Sequence, residues 1–516
     1  MTPRRRETQT SRDHRSPITI PRADDPARYY RDIFGFDVGS ILFFSGTIVC
    51  FVAVSMFIPA LIDYVDGNED FRVFLSCAAI LLFIGLAMAL TFRRHGYAMS
   101  LREVVLAAPV TWIVVVSLGA LPFVFSSFHL SYTDAVFETM SGATATGSTV
   151  IVGLDTAPRG LLMWRFLTVW FGGFGFVTLA VLVLPFLRIG GMQLFVLDLS
   201  AQSGKFVPRM IDVVMKVGAV YLLLTVSCAV AFGVAGMNTF DAIGHSMAAV
   251  ATGGFSSHDA GIGFFQSAPI EWIASLFMAL SAMPFVLFID AMRRGPNSIF
   301  EDSQVRIFLG IITAASLVLT VWLVVRQGSG LLEALRQATF NVVSIISTTG
   351  FASQDYNQWG GFPSILLLAL MLAGGCTGST AGGIKAFRLY VLLQTIRMQL
   401  HRQIYPHGMF VITYNRSPVA DAVRAGVTGY FFVYISTFFS FALLLGLTGL
   451  SFESSLGASA TALGGVGPGL GPVIGPCCTF ASISPVAKWL LSIEMLAGRL
   501  EILVVVIPFT RTFWRT

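Results

Sequence analysis

Four segments of the chain share one pattern: SGATATGST at 141–149, AAVATGGFSSHD at 248–259, VVSIISTTGFAS at 342–353 and GASATALGGVGPGLGP at 457–472. Each segment leads from a short helical stretch into residues rich in Thr or Gly, and each is too short to cross a bilayer on its own. One glycine of each segment aligns with the others: Gly147, Gly254, Gly350 and Gly467. Because these glycines recur at intervals of roughly 100 residues, we interpret the segments as internal repeats.

The composition places the chain in a bilayer. Of its 516 residues, 55% are hydrophobic and only 12% are charged, which leaves too few charges to solvate a soluble body of this size. The 45 Phe and 50 Gly fit helices that face lipid and pack closely against each other. This composition argues against a soluble enzyme and predicts an all-α integral membrane protein.

Ten apolar stretches are long enough to cross a membrane as helices. They lie near 38–61, 71–92, 104–128, 161–187, 213–236, 270–292, 304–326, 362–397, 425–450 and 485–511. The four short segments fall between the third and tenth spans, so each repeat is predicted to contain a span, a short pore helix, a filter loop and a second span. Since each repeat crosses the membrane twice, all four keep one orientation and can surround a central axis in a pseudo-fourfold arrangement.

The predicted units follow one another along the chain. A basic, Arg-rich tail at 1–37 has a composition typical of disorder. After it come a leading two-helix unit at 38–95 and pore repeats at 96–190, 191–295, 296–402 and 403–516. Most of the 33 lysines and arginines fall on the same side of the predicted spans as this tail, so both termini are predicted to be cytoplasmic.

The Gly loops have the features of a cation site. Non-helical backbone at membrane depth is tolerated only where it is buried or lines water, so four such loops predict one pore. Gly allows successive carbonyl groups to turn toward the axis, where their oxygens can replace the hydration shell of a cation. The pore helices begin near acids that suit a helix N-terminus, and their negative C-terminal ends would face the axis. These acids are Asp134, Asp241, Glu333 and Glu453.

These loops, together with AGGCTGSTAGGIKAFR at 373–388 and GRLE at 498–501, resemble the Trk/Ktr/HKT superfamily of potassium transporters. The similarity is strongest to the membrane subunit of the bacterial Trk systems, and it covers about residues 38 to 513. It implies a multi-pass protein of the bacterial cytoplasmic membrane that takes up potassium. Potassium would be the substrate, and no cofactor is expected in this chain.

The resemblance also implies which residues form the selectivity filter. These are Ala145, Thr146, Gly147, Thr252, Gly253, Gly254, Thr348, Thr349, Gly350, Gly465, Val466 and Gly467. Gly at all four aligned positions is similar to the potassium-preferring members of the superfamily. The chain departs from many relatives at Ala145, Gly464 and Gly465, where polar side chains are commoner.

A run of glycines at 374–383 would interrupt the eighth span, because each Gly in a helix costs about 1 kcal/mol relative to Ala. The resemblance implies that this loop obstructs the pore below the filter and moves when the channel opens. The residues assigned to this gate are Gly374, Gly375, Thr377, Gly378, Ser379, Thr380, Gly382, Gly383, Lys385 and Arg499.

Two basic residues of the gate leave alternatives open. Arg499 lies inside the last span, where a charge costs about 2.5 to 3.5 kcal/mol on insertion scales and therefore needs a partner or water. The resemblance places Arg499 against carbonyl groups of the gate loop, and the alternative is a structural pair with Glu494 or Glu501. Lys385 either belongs to the gate or marks the cytoplasmic boundary.

Three polar residues near the filter are equally open. Glu138, His258 and Asp259 either tune the outer mouth of the pore or serve local structure, Glu138 as an acid in the first turn of its helix and the other two as a solvated pair.

The resemblance further implies a homodimer with one pore in each subunit and a cytosolic nucleotide-binding regulator similar to TrkA. Basic residues also suit anionic lipid, and nothing indicates a nucleic-acid partner. Two alternative functions are transport of another small solute by a secondary transporter and transport of sodium by a less selective pore. An enzyme is not expected, since the seven His are scattered and form no catalytic constellation.

Overall fold

The computed structural model describes residues 37–93, 100–182, 206–476 and 478–514. Nearly the whole of the predicted basic tail, 1–37, and the predicted junction of the first two repeats at 190 and 191 lie outside these residues. The described part is mostly helical. Its strands are a two-residue pair, β1 (Thr413–Tyr414) and β2 (Ser417–Pro418), which are antiparallel.

The described part begins with a leading unit in which two long helices pack closely. The helices of this leading unit are α1 (Val38–Ser55), α2 (Phe57–Val65) and α3 (Phe71–Thr91). Gly46 of α1 and Gly85 of α3 face each other, and a Cβ on either would come within 2.9 Å of backbone of the other helix. Small residues at this crossing let the two backbones approach closely, as is common between membrane helices.

The first two repeats follow. The first contains α4 (Leu101–Gly119), α5 (Leu121–Phe125), α6 (Tyr132–Ala143) and α7 (Arg159–Leu182). The second contains α8 (Phe206–Val234), α9 (Thr239–Val250), α10 (Ala268–Ser281), α11 (Phe285–Arg294) and α12 (Asn297–Glu301).

The stretches predicted as the last two repeats come next. The third contains α13 (Ser303–Gln327), α14 (Leu331–Ile346), α15 (Gly361–Ala373) and α16 (Ala386–Ile404). The fourth contains α17 (Asp421–Leu447), α18 (Phe452–Gly464), α19 (Pro485–Arg499), α20 (Ile502–Val506) and α21 (Arg511–Trp514).

Seven described helical segments are long and apolar enough to cross a bilayer. They are Val38–Val65, Phe71–Thr91, Arg102–Phe125, Arg159–Ala180, Asp212–Val234, Ser303–Gln327 and Asp421–Leu447. Large apolar side chains such as Phe83, Phe432 and Leu447 point outward with more than 70% of their surface exposed. An exposed apolar belt of this kind is the expected lipid-facing surface of a membrane protein.

The other three predicted spans are interrupted. A break at 374–385 separates α15 from α16, as the Gly run predicted. The stretches at 270–292 and 485–511 were predicted as continuous helices, and this is wrong. α10 and α11 meet at an angle of 92°, with Pro284 between them, and α19 ends at Arg499 because Glu501 adopts a φ of 65°.

The short helices α6, α9, α14 and α18 begin in one common way. Ser131, Asn238 and Ser451 cap three of them by accepting a backbone N–H, and Gly330 occupies the same position before α14. Each of the four helices carries an acid in its first turn, which confirms the predicted placement near the positive end of the helix dipole. These acids are Asp134, Asp241, Glu333 and Glu453.

Candidate ion-binding site

The four loops that follow the short helices adopt the same backbone conformation. The residue two positions before each aligned glycine is left-handed, with φ of 50° at Ala145, 52° at Thr252, 56° at Thr348 and 70° at Gly465. The aligned glycines also have positive φ, with 94° at Gly147, 62° at Gly254, 80° at Gly350 and 107° at Gly467. Three residues with side chains hold a conformation that is costly for them, so the surrounding structure must enforce it.

Backbone hydrogen bonds tie the centre of each loop to the short helix before it. The middle residue of each loop donates its N–H to a carbonyl of the last turns of the helix: Thr146 to Ser141 at 2.8 Å, Gly253 to Ala248 at 2.9 Å, Thr349 to Ser344 at 2.9 Å and Val466 to Thr461 at 3.0 Å. Among the described residues, none donates a hydrogen bond to the carbonyl oxygens of these four middle residues. Buried carbonyl groups nearly always have a partner, so four free ones at one place indicate a ligand site.

The loops contact one another in cyclic order. A Cβ added to any aligned glycine would overlap or crowd the middle carbonyl group of the next loop, and the fourth loop meets the first. The contacts are Gly147 with Gly253, Gly254 with Thr349, Gly350 with Val466, and Gly467 with Thr146. Only glycine permits this approach, and it brings the four free carbonyl groups close together.

A cavity of about 380 Å³ opens on one side of these loops, and we call it the mouth cavity. Its wall includes all four aligned glycines, residues that follow them such as Thr149 and His258, and Arg165 of α7. The ring of His258 contacts Asp155 at 2.6 Å and Asp241 at 3.1 Å. The hydrogen bond with His258 lowers the pKa of the Asp155 carboxyl group.

The structure shows the local contacts of two of the polar residues near the filter. Glu138 is not an acid of the first turn, because it lies in the middle of α6, is fully buried and pairs with Arg165 at 2.8 Å. Asp259 accepts the N–H groups of Gly153 and Leu154, each at 3.1 Å, so it holds the chain that leaves the first loop.

On the side of the loops away from the mouth cavity lies the segment 374–383, which the resemblance predicts to be a gate and which is called the gate loop for that reason. Gly382 donates its N–H to the Thr348 hydroxyl at 2.8 Å and lies against the Gly464 carbonyl group. The Thr380 hydroxyl is 3.2 Å from the carbonyl oxygen of Val250. The gate loop therefore touches the C-terminal ends of three of the four short helices.

The gate loop also forms hydrogen bonds with the bend between α10 and α11 and with α13. The Phe285 N–H donates to the Gly378 carbonyl oxygen at 3.0 Å, and the Cys376 N–H donates to the Ala282 carbonyl oxygen at 2.9 Å. The Thr377 N–H donates to the Gln304 side chain at 3.0 Å. The bend between α10 and α11 is thus the place where the gate loop satisfies backbone groups that a continuous helix would have paired internally.

Arg499 reaches the gate loop from the end of α19. Its guanidinium donates to the Thr380 carbonyl oxygen at 2.8 Å and to the Gly172 carbonyl oxygen at 3.3 Å. The alternative pairing is wrong: Glu501 pairs with Arg388 at 2.9 Å, and Glu494 accepts the Ser459 hydroxyl. Among the described residues, Arg499 forms no ion pair.

Lys385 lies beside Arg499. Its ammonium group donates to the Ala381 carbonyl oxygen at 2.9 Å, and both cations lie over the ring of Phe176, at 4.6 Å for Lys385 and 4.2 Å for Arg499. Lys385 is only 4% exposed, so its side chain is enclosed by protein. Two buried basic side chains therefore lie together at the gate loop.

Sequence reasoning missed Arg165, Thr149 and Gln304, which position the loops. The one available signal was Arg165 itself, a single charge within the apolar stretch 161–187. In the described ranges, no group of three or more His, Cys, Asp and Glu side chains could hold a metal ion. The oxygens available at the loops are mainly backbone carbonyl and hydroxyl groups, the kind of ligand that suits alkali cations.

The described residues contain seven helices that are apolar and long enough to cross a membrane, with buried Gly loops in the segments between them. These features define a multi-pass membrane protein. The chain belongs to the TrkH family of cation transport proteins, whose profile matches residues 71–515. It is 40% identical to the Trk system potassium uptake protein TrkI of Halomonas elongata, over 90% of this chain and 94% of that protein. It is 37% identical to TrkH of Escherichia coli K12, over 91% of this chain and 98% of that protein.

A solved structure has the same fold. The crystal structure of the potassium transporter TrkH from Vibrio parahaemolyticus superposes with a TM-score of 0.85 at 36% sequence identity. The match covers 92% of this chain and 99% of that one.

Proposed function

We propose that this chain takes up potassium across the bacterial cytoplasmic membrane through one pore. Four repeats in a pseudo-fourfold arrangement would form this pore, with the Gly loops at its centre. The observation that carries the proposal is the cyclic contact of the four loops, with four buried carbonyl groups that accept no hydrogen bond among the described residues. The names of the relatives, Trk system potassium uptake proteins, support potassium as the substrate.

The filter would consist of the three residues that end in each aligned glycine. These are Ala145, Thr146, Gly147, Thr252, Gly253, Gly254, Thr348, Thr349, Gly350, Gly465, Val466 and Gly467. Carbonyl oxygens at this site replace the water that a cation loses on entering. Each of the four short helices adds roughly half a negative charge at its C-terminal end, so the site favours a cation over an anion.

The gate loop would close the pore directly below the filter. Arg499 and Lys385 lie there, and the guanidinium charge of Arg499 would repel a cation that leaves the filter. Opening requires the gate loop to break its contacts with Thr348 and Val250. Because Thr380 belongs to this loop, its contact with Arg499 would break as well. The neutral residues of this gate are Gly374, Gly375, Thr377, Gly378, Ser379, Thr380, Gly382 and Gly383.

Assembly and regulation complete the proposal. The chain would form a homodimer in lipid, with a pore in each subunit, both termini in the cytoplasm and a cytosolic nucleotide-binding regulator similar to TrkA. Potassium is its cargo, and the chain would need no cofactor of its own. The family to which the chain belongs is one of transporters, which gives no support to an enzymatic role.

The test is tracer rubidium uptake by vesicles that contain the purified chain. We expect potassium to inhibit the uptake at low concentration, sodium only at much higher concentration, and amino acids and sugars not at all. Equal inhibition by sodium and potassium would favour a sodium-permeable pore, and inhibition by an organic solute would favour a secondary transporter.

A further inference from the structure

A buried ion pair lies directly behind the first loop. Glu138 of α6 and Arg165 of α7 meet at 2.8 Å between Oε1 and Nε, and their side chains are 0% and 1% exposed. Neither residue belongs to the filter or the gate loop proposed above. A charge pair buried this completely is costly unless further hydrogen bonds complete it, so the groups around it matter.

Glu138 also accepts hydrogen bonds from the residues that follow the first loop. Its carboxylate accepts the Thr149 hydroxyl at 3.0 Å and the Val150 N–H at 2.9 Å. Arg165 also donates to the Thr149 hydroxyl oxygen at 3.3 Å. The ion pair therefore holds the two residues that begin the exit from the first loop, two and three positions after Gly147.

Arg165 extends the same network to the second loop. Its Nη1 donates to the Ser256 carbonyl oxygen at 2.7 Å, and its guanidinium lies 4.2 Å from the ring centroid of Phe255. Ser256 stands two positions after Gly254, where Thr149 stands relative to Gly147. One side chain thus fixes the same point of two neighbouring loops, with charge-assisted hydrogen bonds that are shorter and stronger than neutral ones.

The repeats show that this link is specific to one side of the ring. The residue nine positions before the aligned glycine is Glu138, His245, Asn341 or Ala458 in successive repeats. His245 contacts the Ser256 hydroxyl at 2.9 Å and Asn341 donates to the Ser353 hydroxyl at 3.3 Å. The first three of these positions hold the loop that follows, and among the described residues only Glu138 does so as part of an ion pair.

The fourth loop is held in a different way. Ala458 has no polar side chain, and the residues after Gly467 are held from the third repeat instead. Tyr356 donates its hydroxyl to the Gly469 carbonyl oxygen at 3.3 Å, and Asn357 donates to the Gly471 carbonyl oxygen at 3.3 Å. Loops one and two therefore share a charged brace, while loops three and four share neutral hydrogen bonds.

We propose that Glu138 and Arg165 are a positioning pair, which fixes the first two loops at the width required by potassium and so sets the discrimination against sodium. The proposal rests on the potassium-conducting function proposed above. A smaller cation is bound well only if the carbonyl groups can move inward, and rigid, buried hydrogen-bond networks resist such movement. A loop freed from this brace can close around sodium.

A purely electrostatic role makes a different prediction. If the pair acted only by its charge near the mouth cavity, Glu138→Gln would leave a positive charge and raise the rubidium concentration for half-maximal uptake. Arg165→Gln would leave a negative charge and lower it. A positioning role instead predicts that both substitutions weaken discrimination in the same direction, and that the double variant is no worse than either single variant, since all three lose one shared link.

The experiment is rubidium uptake by vesicles containing the full-length chain, with potassium and sodium as competitors. The ratio of the half-inhibiting sodium and potassium concentrations is compared among wild type, Glu138→Gln, Arg165→Gln and the double variant. We expect this ratio to fall about tenfold in all three variants, as for the loss of a hydrogen-bonded charge pair. Arg336→Gln, which breaks the ion pair with Glu271 away from the loops, is the control and should keep the wild-type ratio.

Each outcome decides the matter. An unchanged ratio, or opposite shifts in half-maximal rubidium concentration with an unchanged ratio, overturns the positioning role while potassium-sensitive uptake by wild type still supports the proposed function. Absence of that wild-type uptake overturns both. If a charge variant does not assemble, Thr149→Val, which leaves the ion pair intact, decides instead: a lower ratio supports the proposal and an equal ratio overturns it.

Discussion

Arg499 holds a guanidinium group beneath the four loops and in contact with carbonyl oxygens of the gate loop and of α7. A buried arginine without a carboxylate beside it retains an uncompensated positive charge, and the nearby helix ends compensate only part of it. On the proposed function, such a charge opposes the passage of a cation.

Replacing Arg499 by Gln should therefore raise rubidium uptake. The substitution removes the charge and leaves one hydrogen bond to the gate loop, so we expect uptake without any regulator to rise several-fold. Uptake per protein in vesicles is the measurement, and Arg397→Gln, at an exposed position on α16, is the matched control. Unchanged or lower uptake in Arg499→Gln would argue against the charge as a barrier.

A substitution at Thr380 tests whether the contacts of the gate loop keep the pore closed. Its hydroxyl lies 3.2 Å from the Val250 carbonyl oxygen and 3.1 Å from the Ser281 carbonyl oxygen, so it joins the loop to α9 and α10. Thr380→Val keeps the shape and loses an interaction worth about 1 kcal/mol, which should favour the open position and raise uptake by about fivefold. Thr313→Val removes a hydroxyl that bonds only within its own helix and should change nothing. Equal uptake in the two variants would count against the gate assignment.

At the scale of elements, the four loops were predictable because their signal is local. Gly and Thr follow a short helical stretch four times, and the residues at Gly147, Gly254 and Gly350 indeed adopt positive φ. The bend between α10 and α11 was not predictable in this way. Its backbone partners, Cys376 and Gly378, lie about 90 residues further along the chain. The hydrophobic pattern of a segment does not indicate such distant partners.

The brace behind the first loop shows the same limit. Glu138 could be noticed as an acid on the short helix α6, but its partner Arg165 lies on the next long helix. Only the fold reveals that Arg165 also touches the second loop through Ser256. Residue type and spacing thus predicted the loop positions, whereas the contacts between repeats required the structure.

The crossing of α1 and α3 should contribute stability without affecting ion choice. Gly85→Leu would force the two helices apart and should lower the free energy of unfolding by about 2 kcal/mol. The ratio of sodium to potassium inhibition should stay at its wild-type value, because this crossing does not touch the loops. Thermal denaturation in detergent checks the first effect, with Gly233→Leu as the control, since a Cβ there meets nothing within 4 Å. A changed ratio would mean that the leading unit influences the filter.

At the scale of the whole molecule, the repeats meet at one place. The loops contact each other in chain order, and the fourth loop contacts the first. The position of each middle carbonyl group therefore depends on all four loops. The mouth cavity lies on one side of this ring and the gate loop on the other. We therefore propose that an ion crossing the described part of the chain passes through this ring.

Rubidium uptake by vesicles containing Gly350→Asp tests this claim most directly. A side chain at Gly350 would overlap the Val466 carbonyl group inside the ring, whereas Gly330→Asp makes the same substitution at a helix N-cap with nothing within 4 Å of the added Cβ. We predict that Gly350→Asp abolishes potassium-sensitive uptake and that Gly330→Asp retains it. Equal uptake in both variants, at equal amounts of folded protein, would contradict the account, since the ion would then cross elsewhere.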